Sequence, residues 1–426
     1  MTDGAMQPYR LTLNKFLDHA AKWHPKTEVV TARDEGAVVR VGYAALRQRA
    51  GRISTVLAGL GVVVGDHVAT LAWNTQDHVE AWYAVMGMGA VCHTLNPRLT
   101  ASQLADMVVQ SQAKVLIAPA DLYTLASQVC AHASDISTVL VIDEGETRES
   151  EESGNSGNSG KPAIDGVAVH TLEAMLAVAG SAEGAGGAAL WGEFDENTPS
   201  GLCFTSGTTG APKGVTYTHR SSYLHTLKLL QADVLGLTAQ DVVLPVVPMF
   251  HANAWGLPFA APAVGAKLVL PGRHADGASL ARLIASEGVT IAVGVPTVWV
   301  GLADHLDSTG EELPSLRRIV VGGAAMPPAL MNRIERRLGV TVQTSWGMTE
   351  LSPSGTFASP GEPCRDPSLS GRPAVGVDLL LTDAEGSPLP EQRNTEGRLR
   401  VRGAAVIERY FGHDVPATDT NGWFDT

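Results

Sequence analysis

Short apolar runs alternate with helical patterns in the N-terminal part of the chain, and this alternation limits the folds open to it. Val68–Trp73, Lys114–Ala118 and Thr138–Ile142 are typical of buried strands, whereas His78–Met88 and Ser102–Ser111 carry helical patterns. Strands that are separated by helices usually pair in parallel, and the helices cover both faces of the sheet. The pattern therefore predicts an α/β fold built on parallel sheets.

The alternation returns in the second half and then gives way to short strands with turn signals from about Gly376. Because 426 residues exceed what one hydrophobic core usually supports, we expect α/β subdomains over roughly 1–375 and a β-rich subdomain over roughly 376–426. The low-complexity stretch 149–162 predicts a flexible surface loop, and the Gly/Ala-rich stretch 179–189 predicts a second connector. The further predicted elements are Lys267–Leu270, Ser279–Glu287, Thr290–Val293, Arg318–Val321, Pro328–Leu338, Val377–Leu381 and Arg398–Val401.

The composition excludes several classes of protein. The chain has 31 Lys and Arg against 44 Asp and Glu, a net charge of −13, so binding to nucleic acid or to an anionic membrane surface, which needs a basic field, is not expected. An apolar content of 44% excludes a mainly disordered chain. The cysteine usage and the absence of a signal-like N-terminus predict a cytoplasmic protein. No two of the four cysteines have metal-type or redox-type spacing: Cys92, Cys130, Cys203 and Cys364.

The segment 242–266 contains no Asp, Glu, Lys or Arg and is long enough to span a bilayer. Prolines such as Pro245 and Pro258 interrupt it, and His251 and Asn253 lie between them. A lipid-facing helix could not satisfy so much interrupted backbone. We therefore predict a buried, irregular segment that forms part of a site, and no integral membrane segment.

The sharpest local signal is the string TSGTTGAPKG, Thr205–Gly214, which follows the apolar run Leu202–Phe204. It combines several hydroxyls, unhindered backbone N–H groups and one ammonium, which together suit a polyphosphate. The P-loop pattern does not fit, because Gly214 stands where a Ser or Thr would follow Lys213 and because the chain then continues as a strand. A Ser/Thr-rich hairpin turn is the structural alternative.

This string resembles the phosphate-binding signature of the adenylate-forming enzymes, which include acyl-CoA synthetases, amino-acid adenylation domains and luciferases. Three more stretches match in the same order: Gly322–Ala325 resembles the adenine-side loop, Trp346–Glu350 the aromatic-G-x-T-E motif, and Asn421–Thr426 the segment before a ribose-binding Gly-Asp. Through Val246–Pro258 and Gly265–Gly272 the chain most resembles bacterial medium- and long-chain fatty-acid–CoA ligases. The resemblance implies an N-terminal domain with two helix-covered β-sheet subdomains and a small distorted β-barrel.

The reaction that the resemblance implies has two halves. A carboxylate attacks the α-phosphate of ATP to give acyl-AMP, and the thiolate of coenzyme A then displaces AMP. Lys213, Thr349 and Glu350 would act on the phosphates, and Glu350 with Thr205 would hold Mg²⁺. The nucleotide site would comprise Thr205, Ser206, Gly207, Thr208, Thr209, Gly210, Lys213, Gly323, Ala324, Thr344, Ser345, Trp346, Gly347 and Thr349.

His251 selects the substrate class in this interpretation, because an Asp at its position would indicate amino-acid activation. The resemblance implies a plain carboxylic acid with the imidazole near the attacking carboxylate, and a gating role for Trp255. The alternatives are structural: a core histidine at 251, packing tryptophans at 255 and 346, a solvated Glu350 and a plain turn at 322–325. The candidate acid-binding residues, mostly apolar or small and therefore suited to an aliphatic tail, are His251, Trp255, Val298, Trp299, Gly322 and Met326.

The sequence ends at Thr426, where the family continues into Gly-Asp and a small C-terminal domain. The resemblance therefore implies a large domain that binds its ligands with little or no turnover. The expected ligands are ATP, Mg²⁺, coenzyme A and a medium- or long-chain fatty acid, and a homodimer is expected. Two alternatives stay open: a ligase for a short sulfur-containing or branched acid, and a non-catalytic nucleotide- or acyl-binding scaffold.

Overall fold

The computed structural model describes residues 6–142, 163–181, 191–205, 212–361 and 366–426. The predicted loop at 149–162 lies outside these residues, as does most of 179–189. The helices of the described residues are α1 (Asn14–Trp23), α2 (Tyr43–Gly59), α3 (Gln76–Gly87), α4 (Ala101–Ser111), α5 (Tyr123–Cys130), α6 (Leu172–Ser181), α7 (His219–Leu229), α8 (Leu257–Val264), α9 (Gly277–Glu287), α10 (Pro296–Thr309) and α11 (Pro328–Leu338).

The strands of the same residues form three sheets. In chain order they are β1 (Glu28–Ala32), β2 (Val38–Gly42), β3 (His67–Leu71), β4 (Val91–Leu95), β5 (Val115–Pro119), β6 (Thr138–Ile142), β7 (Ala168–Thr171), β8 (Pro199–Thr205), β9 (Lys213–Thr218), β10 (Val242–Pro245), β11 (Lys267–Leu270), β12 (Ile291–Gly294), β13 (Arg318–Val321), β14 (Thr341–Gly347), β15 (Ser354–Phe357), β16 (Arg372–Pro373), β17 (Val377–Thr382), β18 (Arg398–Gly403) and β19 (Phe424–Asp425).

The first sheet has the strand order β7-β6-β5-β3-β4-β8-β9. Its pairs from β7 to β8 are parallel, and only the β8–β9 hairpin is antiparallel. Every residue of β4, β5 and β6 is buried, as expected for strands covered on both faces. Local signals set the helices between them: Thr100 and Gln103 form a capping box that begins α4. The predicted helix-covered parallel sheet is confirmed.

The second sheet has the order β16-β15-β14-β13-β12-β10-β11-β1-β2. Strands β14, β13, β12, β10, β11 and β1 pair in parallel. Their carboxyl ends therefore lie along one edge, which is where ligands bind in open α/β sheets. The chain leaves this edge as the segment 246–251 after β10, the loop 322–326 after β13, and the turn 348–353 after β14.

The C-terminal part differs from the expected small barrel. In the described residues it is an open three-stranded antiparallel sheet, β17-β18-β19, and no closed barrel is present there. Strands this few cannot close on themselves, so the sheet buries its apolar face against the β8–β9 hairpin and the turn after β14. The cluster that joins them contains Cys203, Val215, Tyr217, Leu351, Val401, Ile407 and Phe424.

The uncharged segment 242–266 is irregular, as predicted. It comprises β10, a loop, a short turn at Ala252–Gly256, and α8 with Pro262 inside it. Most of its residues are buried. Within the ranges that the structure describes, every helix is too short or too polar to cross a lipid bilayer.

Candidate functional site

The Gly-rich string connects β8 to β9. Thr205 ends β8 and pairs across the antiparallel ladder with Lys213, which begins β9. The two flanks of the string are therefore neighbours. Its central residues, Ser206, Gly207, Thr208, Thr209 and Gly210, lie outside the described residues, and their contacts with phosphate stay a prediction.

Lys213 and Glu350, which are far apart in sequence, both contact Tyr410. The Lys213 Nζ lies 4.9 Å from the centre of the Tyr410 ring, and the Tyr410 hydroxyl donates to Glu350 Oε1 at 2.8 Å. Burial, and then this hydrogen bond, raise the pKa of Tyr410, so the phenol stays protonated. The next residue, Phe411, donates its backbone N–H to the Gly214 carbonyl at 2.8 Å. This segment brings the two predicted phosphate-site residues to one place.

Glu350 lies in a short 3-10 turn, Thr349–Leu351, which begins two residues after the end of β14. It is buried, with 7% of its surface exposed. The main chain of the turn is held from two sides: the Tyr217 hydroxyl donates to the Thr349 carbonyl at 3.0 Å, and the Ile407 N–H donates to the Glu350 carbonyl at 2.9 Å. The hairpin and the C-terminal sheet together set the position of the carboxylate.

The donor chemistry at Glu350 suits a hard cation that is shared with a phosphate. Among the residues that the structure describes, no group of three or more His, Cys, Asp or Glu side chains could hold a metal ion. Mg²⁺ usually takes one or two carboxylates and completes its shell with phosphate oxygens and water. A single buried carboxylate therefore fits a magnesium ion that arrives with a nucleotide, and it does not fit a resident metal cage.

Strand β14 carries the predicted nucleotide residues to the ligand edge of the second sheet. Ser345 Oγ donates to the Val321 carbonyl at 2.9 Å, and Thr344 Oγ1 donates to a main-chain carbonyl at 2.8 Å. Both hydroxyls thus have partners within the protein. The half-buried Trp346 packs against Gly355, where an added Cβ would lie 2.7 Å from the indole. Trp346 is therefore packed closely against the main chain of β15.

The loop after β13, predicted to line the adenine side, contacts Trp255. A Cβ on the buried Gly322 would lie 2.6 Å from Ser345 Oγ and 2.9 Å from the Trp255 ring, so this position has no room for a side chain. Gly323 and Ala324 are exposed. The structure thus brings the predicted gate residue together with the predicted nucleotide loop.

His251 follows β10 at the end of a loop that Asn74 holds. The buried Asn74 Nδ2 donates to the Pro245 and Val247 carbonyls at 3.0 and 2.9 Å, and its Oδ1 accepts from the Met249 N–H at 2.7 Å. His251 is exposed rather than a core residue. Nearby protein nevertheless desolvates its ring and lowers its pKa, which favours a neutral imidazole.

The residues after His251 form a left-handed turn without glycine at its first four positions. The φ angles of Ala252, Asn253, Ala254 and Trp255 are 44°, 54°, 45° and 54°. Each such L-residue costs about 1–2 kcal/mol. Strained backbone of this kind tends to cluster at ligand sites and switches, and here it sets the orientation of Trp255.

The other candidates for the acyl wall lie deeper. Trp299 is fully buried, and its indole N–H donates to the Gly294 carbonyl at 3.3 Å. Met326 is 4% exposed and belongs to the same hydrophobic cluster, against which the half-buried Val298 packs. These contacts are typical of core packing, and a role in binding an acid stays a prediction for all three.

Tyr410 and Asn74 were not among the residues predicted from sequence. Tyr410 lies in a turn-rich stretch, and its partners Lys213 and Glu350 are 197 and 60 residues away in the sequence. Asn74 stands directly after a predicted strand. A polar residue at the carboxyl end of a parallel strand is a usable signal for a site, whereas nothing local marks Tyr410.

Comparison with known proteins identifies the family. A profile described as AMP-binding enzyme matches residues 16–411. The chain belongs to the AMP-binding enzyme family. It is 38% identical to the medium-chain-fatty-acid–CoA ligase of Ectopseudomonas oleovorans, over 99% of this chain and 76% of the relative. It is 38% identical to the 3-methylmercaptopropionyl-CoA ligase of Ruegeria lacuscaerulensis, over 99% and 77%. It is 39% identical to the long-chain-fatty-acid–CoA ligase of Thermus thermophilus, over 99% and 75%.

Two solved structures share the fold of this chain. The anthranilate CoA ligase AuaEII in complex with anthranoyl-AMP superposes with a TM-score of 0.82 at 23% identity, covering 100% of this chain and 76% of that one. The N-terminal domain of FACL13 from Mycobacterium tuberculosis superposes with a TM-score of 0.80 at 23% identity, covering 98% and 96%. The adenylate-forming N-terminal fold expected from the sequence is confirmed.

Proposed function

We propose that this chain binds ATP and a medium- or long-chain fatty acid for the reaction that gives acyl-AMP, which coenzyme A then converts to the acyl-CoA thioester. The observation that carries the proposal is the shared contact of Lys213 and Glu350 with Tyr410. Through this contact the Lys213 ammonium, at the end of a hydroxyl-rich loop, lies near the buried Glu350 carboxylate. A magnesium–triphosphate complex requires both charges, the ammonium for its phosphates and the carboxylate for its metal.

The phosphate site has a distinct role for each of these residues. Lys213 and the hydroxyls that precede it bind the phosphate oxygens, and Glu350, with Thr205, holds Mg²⁺. The metal, when bound with the nucleotide, neutralises charge that develops on the phosphates. Thr349 contacts the α-phosphate. No strong general base is needed, because a carboxylic acid is already ionised at neutral pH. Catalysis then rests on positioning and on charge stabilisation.

The acid enters from the side of the strained turn. The neutral imidazole of His251 donates one hydrogen bond to the substrate carboxylate without adding a charge. Trp255, which covers Gly322 and approaches Gly323, acts as the gate to the acyl site. Trp346, Gly323 and Ala324 border the adenine, and the hydroxyls of 344 and 345 hold that border in place.

A ligase for a short sulfur-containing acid is the second candidate. Two relatives are named 3-methylmercaptopropionyl-CoA ligases, at 38% and 36% identity, against 38% and 39% for the fatty-acid–CoA ligases. Identity alone does not separate these substrates. The dependence of affinity on chain length does separate them. Burial of an alkyl tail contributes about 0.8 kcal/mol for each CH₂, which is roughly a fourfold change in affinity for each carbon.

Binding of a homologous series of carboxylates therefore distinguishes the two. Linear acids from four to sixteen carbons and 3-methylmercaptopropionate are titrated into the chain by calorimetry in the presence of a non-hydrolysable MgATP analogue. A fatty-acid site predicts a dissociation constant that falls steadily with chain length up to at least eight carbons. An optimum at 3-methylmercaptopropionate, with weaker binding of every longer acid, would replace the first candidate by the second.

The phosphate assignment has its own test. We expect Lys213→Ala and Glu350→Gln to weaken MgATP binding at least tenfold while the melting temperature stays within a few degrees of wild type. Lys114→Ala, which removes an exposed lysine elsewhere, is the matched control and should bind normally. Unchanged MgATP affinity in both site variants would refute the assignment. No binding of nucleotide or acid by the wild-type chain would refute the proposed function as a whole.

A further inference from the structure

Helix α7 holds both main-chain polar groups of one residue, Ser354. The Ser354 N–H donates to His225 Nε2 at 3.2 Å, and the Ser354 carbonyl accepts from Lys228 Nζ. His225 and Lys228 are 2% and 5% exposed, and their spacing puts them on the same face of the helix. Two buried titratable side chains therefore hydrogen-bond to the same peptide segment, and the proposed reaction uses neither of them.

The imidazole of His225 can accept because it is neutral. Burial, and then the nearby Lys228 charge, lower its pKa well below the ordinary value. An imidazole that accepts at Nε2 carries its proton on Nδ1. The Nδ1 side of the ring faces the other element: a Cβ built on Gly256 would lie 3.0 Å from His225 Nδ1. His225 is therefore inserted between β15 and the residue that ends the left-handed turn.

Both neighbours of His225 belong to the proposed site. Gly256 directly follows Trp255, the proposed gate. Ser354 pairs with Gly347 across β14 and β15, and the Glu350 turn is the connection between these two strands. A shift of Ser354 would therefore move Trp346 and Glu350, and a shift of Gly256 would move the gate.

We propose that His225 is a positioning residue that fixes the Glu350 segment relative to the acid-binding turn. The inference rests on the proposed function, since it assigns to His225 the relative position of the nucleotide and acid sites. His225 touches neither ligand. It acts through the Ser354 N–H and through its packing on Gly256, and Lys228 supports it by holding the Ser354 carbonyl.

The test compares two histidines on the same helix. His219, at the start of α7, is also buried and neutral, and its Nδ1 accepts from the Leu13 N–H at 3.2 Å rather than from a group of the proposed site. Burial lowers its pKa to about 3. His219→Leu and His225→Leu thus remove the same kind of hydrogen bond in different places, and each should lower the melting temperature.

Affinity for MgATP, measured by calorimetry on the whole chain, separates positioning from stability. We expect His225→Leu to raise the dissociation constant at least fivefold, and His225→Gln, whose Oε1 can accept from the Ser354 N–H, to stay within twofold of wild type. His219→Leu should also stay within twofold. Equal affinity of His225→Leu and wild type, equal weakening in His219→Leu, or no recovery with Gln would overturn the inference.

Two further outcomes are also decisive. If His225→Leu does not fold, Lys228→Met takes its place, because it removes the donor to the Ser354 carbonyl. A MgATP dissociation constant of Lys228→Met within twofold of wild type would then refute the inference. If the wild-type chain itself binds no MgATP, the proposed function has failed. A wild-type chain that binds MgATP together with a His225 variant that binds equally well refutes only the role of His225.

Discussion

Asn74 is the residue whose substitution tests most directly how the acid-binding loop is held. Asn74→Asp keeps the size of the side chain but replaces its NH₂ group by an oxygen. The Met249 N–H keeps its acceptor, whereas the Pro245 and Val247 carbonyls lose their donors at 3.0 and 2.9 Å. A buried acceptor left without a partner costs about 1–3 kcal/mol. The two lost hydrogen bonds together are therefore expected to cost about 3 kcal/mol.

The new carboxyl also makes the loss depend on pH. Burial against two carbonyl oxygens disfavours its charged form, so its pKa in the folded chain rises above the unfolded value of about 3.9. The folded state then binds more protons than the unfolded state between these two pKa values, and stability falls as pH rises through that interval. We expect Asn74→Asp to be clearly more destabilised at pH 7 than at pH 5.

Urea unfolding followed by tryptophan fluorescence at both pH values measures this. Asn96→Asp is the control, because the Oδ1 of Asn96 accepts from the Arg98 N–H at 3.0 Å and an Asp can do the same. The control should unfold within about 0.5 kcal/mol of wild type, as surface substitutions usually do. A stability of Asn74→Asp equal to that of the control at pH 7 would show that Asn74 does not hold the loop.

Two further predictions concern the other buried polar groups. Tyr410→Phe removes a hydrogen bond to a charged group, which is worth about 1.5–3 kcal/mol, but it keeps the ring beside Lys213. We expect MgATP affinity, measured by calorimetry, to fall severalfold. An unchanged affinity would contradict the role of Tyr410 in orienting Glu350. Burial lowers the pKa of Lys228 to about 8, below its unfolded value of about 10.4. The unfolded state therefore binds more protons than the folded state between these two pKa values, and the stability of the wild type should rise with pH in that interval. Lys228→Met should lack this rise in urea unfolding from pH 8 to pH 10, and the same slope in both proteins would refute the buried-ammonium interpretation.

The helices and strands whose limits are set by residues nearby in the sequence could be predicted from the sequence. Thr138–Ile142, Lys267–Leu270, Arg318–Val321 and Pro328–Leu338 have the predicted bounds. Apolar runs set the strands, and for the last of these elements the proline at its start and Gly339 after its end delimit the helix. The barrel, in contrast, came from the resemblance alone, and the described strands there form an open sheet.

The candidate site could be predicted only where a motif is contiguous. Tyr410 has no local signature, because its function depends on Lys213 and Glu350 arriving from two other sheets. The turn at Ala252–Trp255 goes against local rules, since left-handed backbone normally selects glycine and here glycine appears only at 256. Such a turn exists because tertiary contacts over-determine it: His225 and Leu229 pack on Gly256 from one side, and Gly322 receives the Trp255 ring on the other.

The buried residues that anchor the site hydrogen-bond to its main chain rather than to the side chains that would contact the ligands. Asn74 binds backbone groups of the loop before His251, Tyr217 binds the Thr349 carbonyl, and His225 binds the Ser354 N–H. An anchor of this kind fixes where a residue lies without consuming its side chain. It therefore allows the exposed His251 ring and the Glu350 carboxylate to be held in place before any ligand arrives, so that little reorganisation remains to be done on binding.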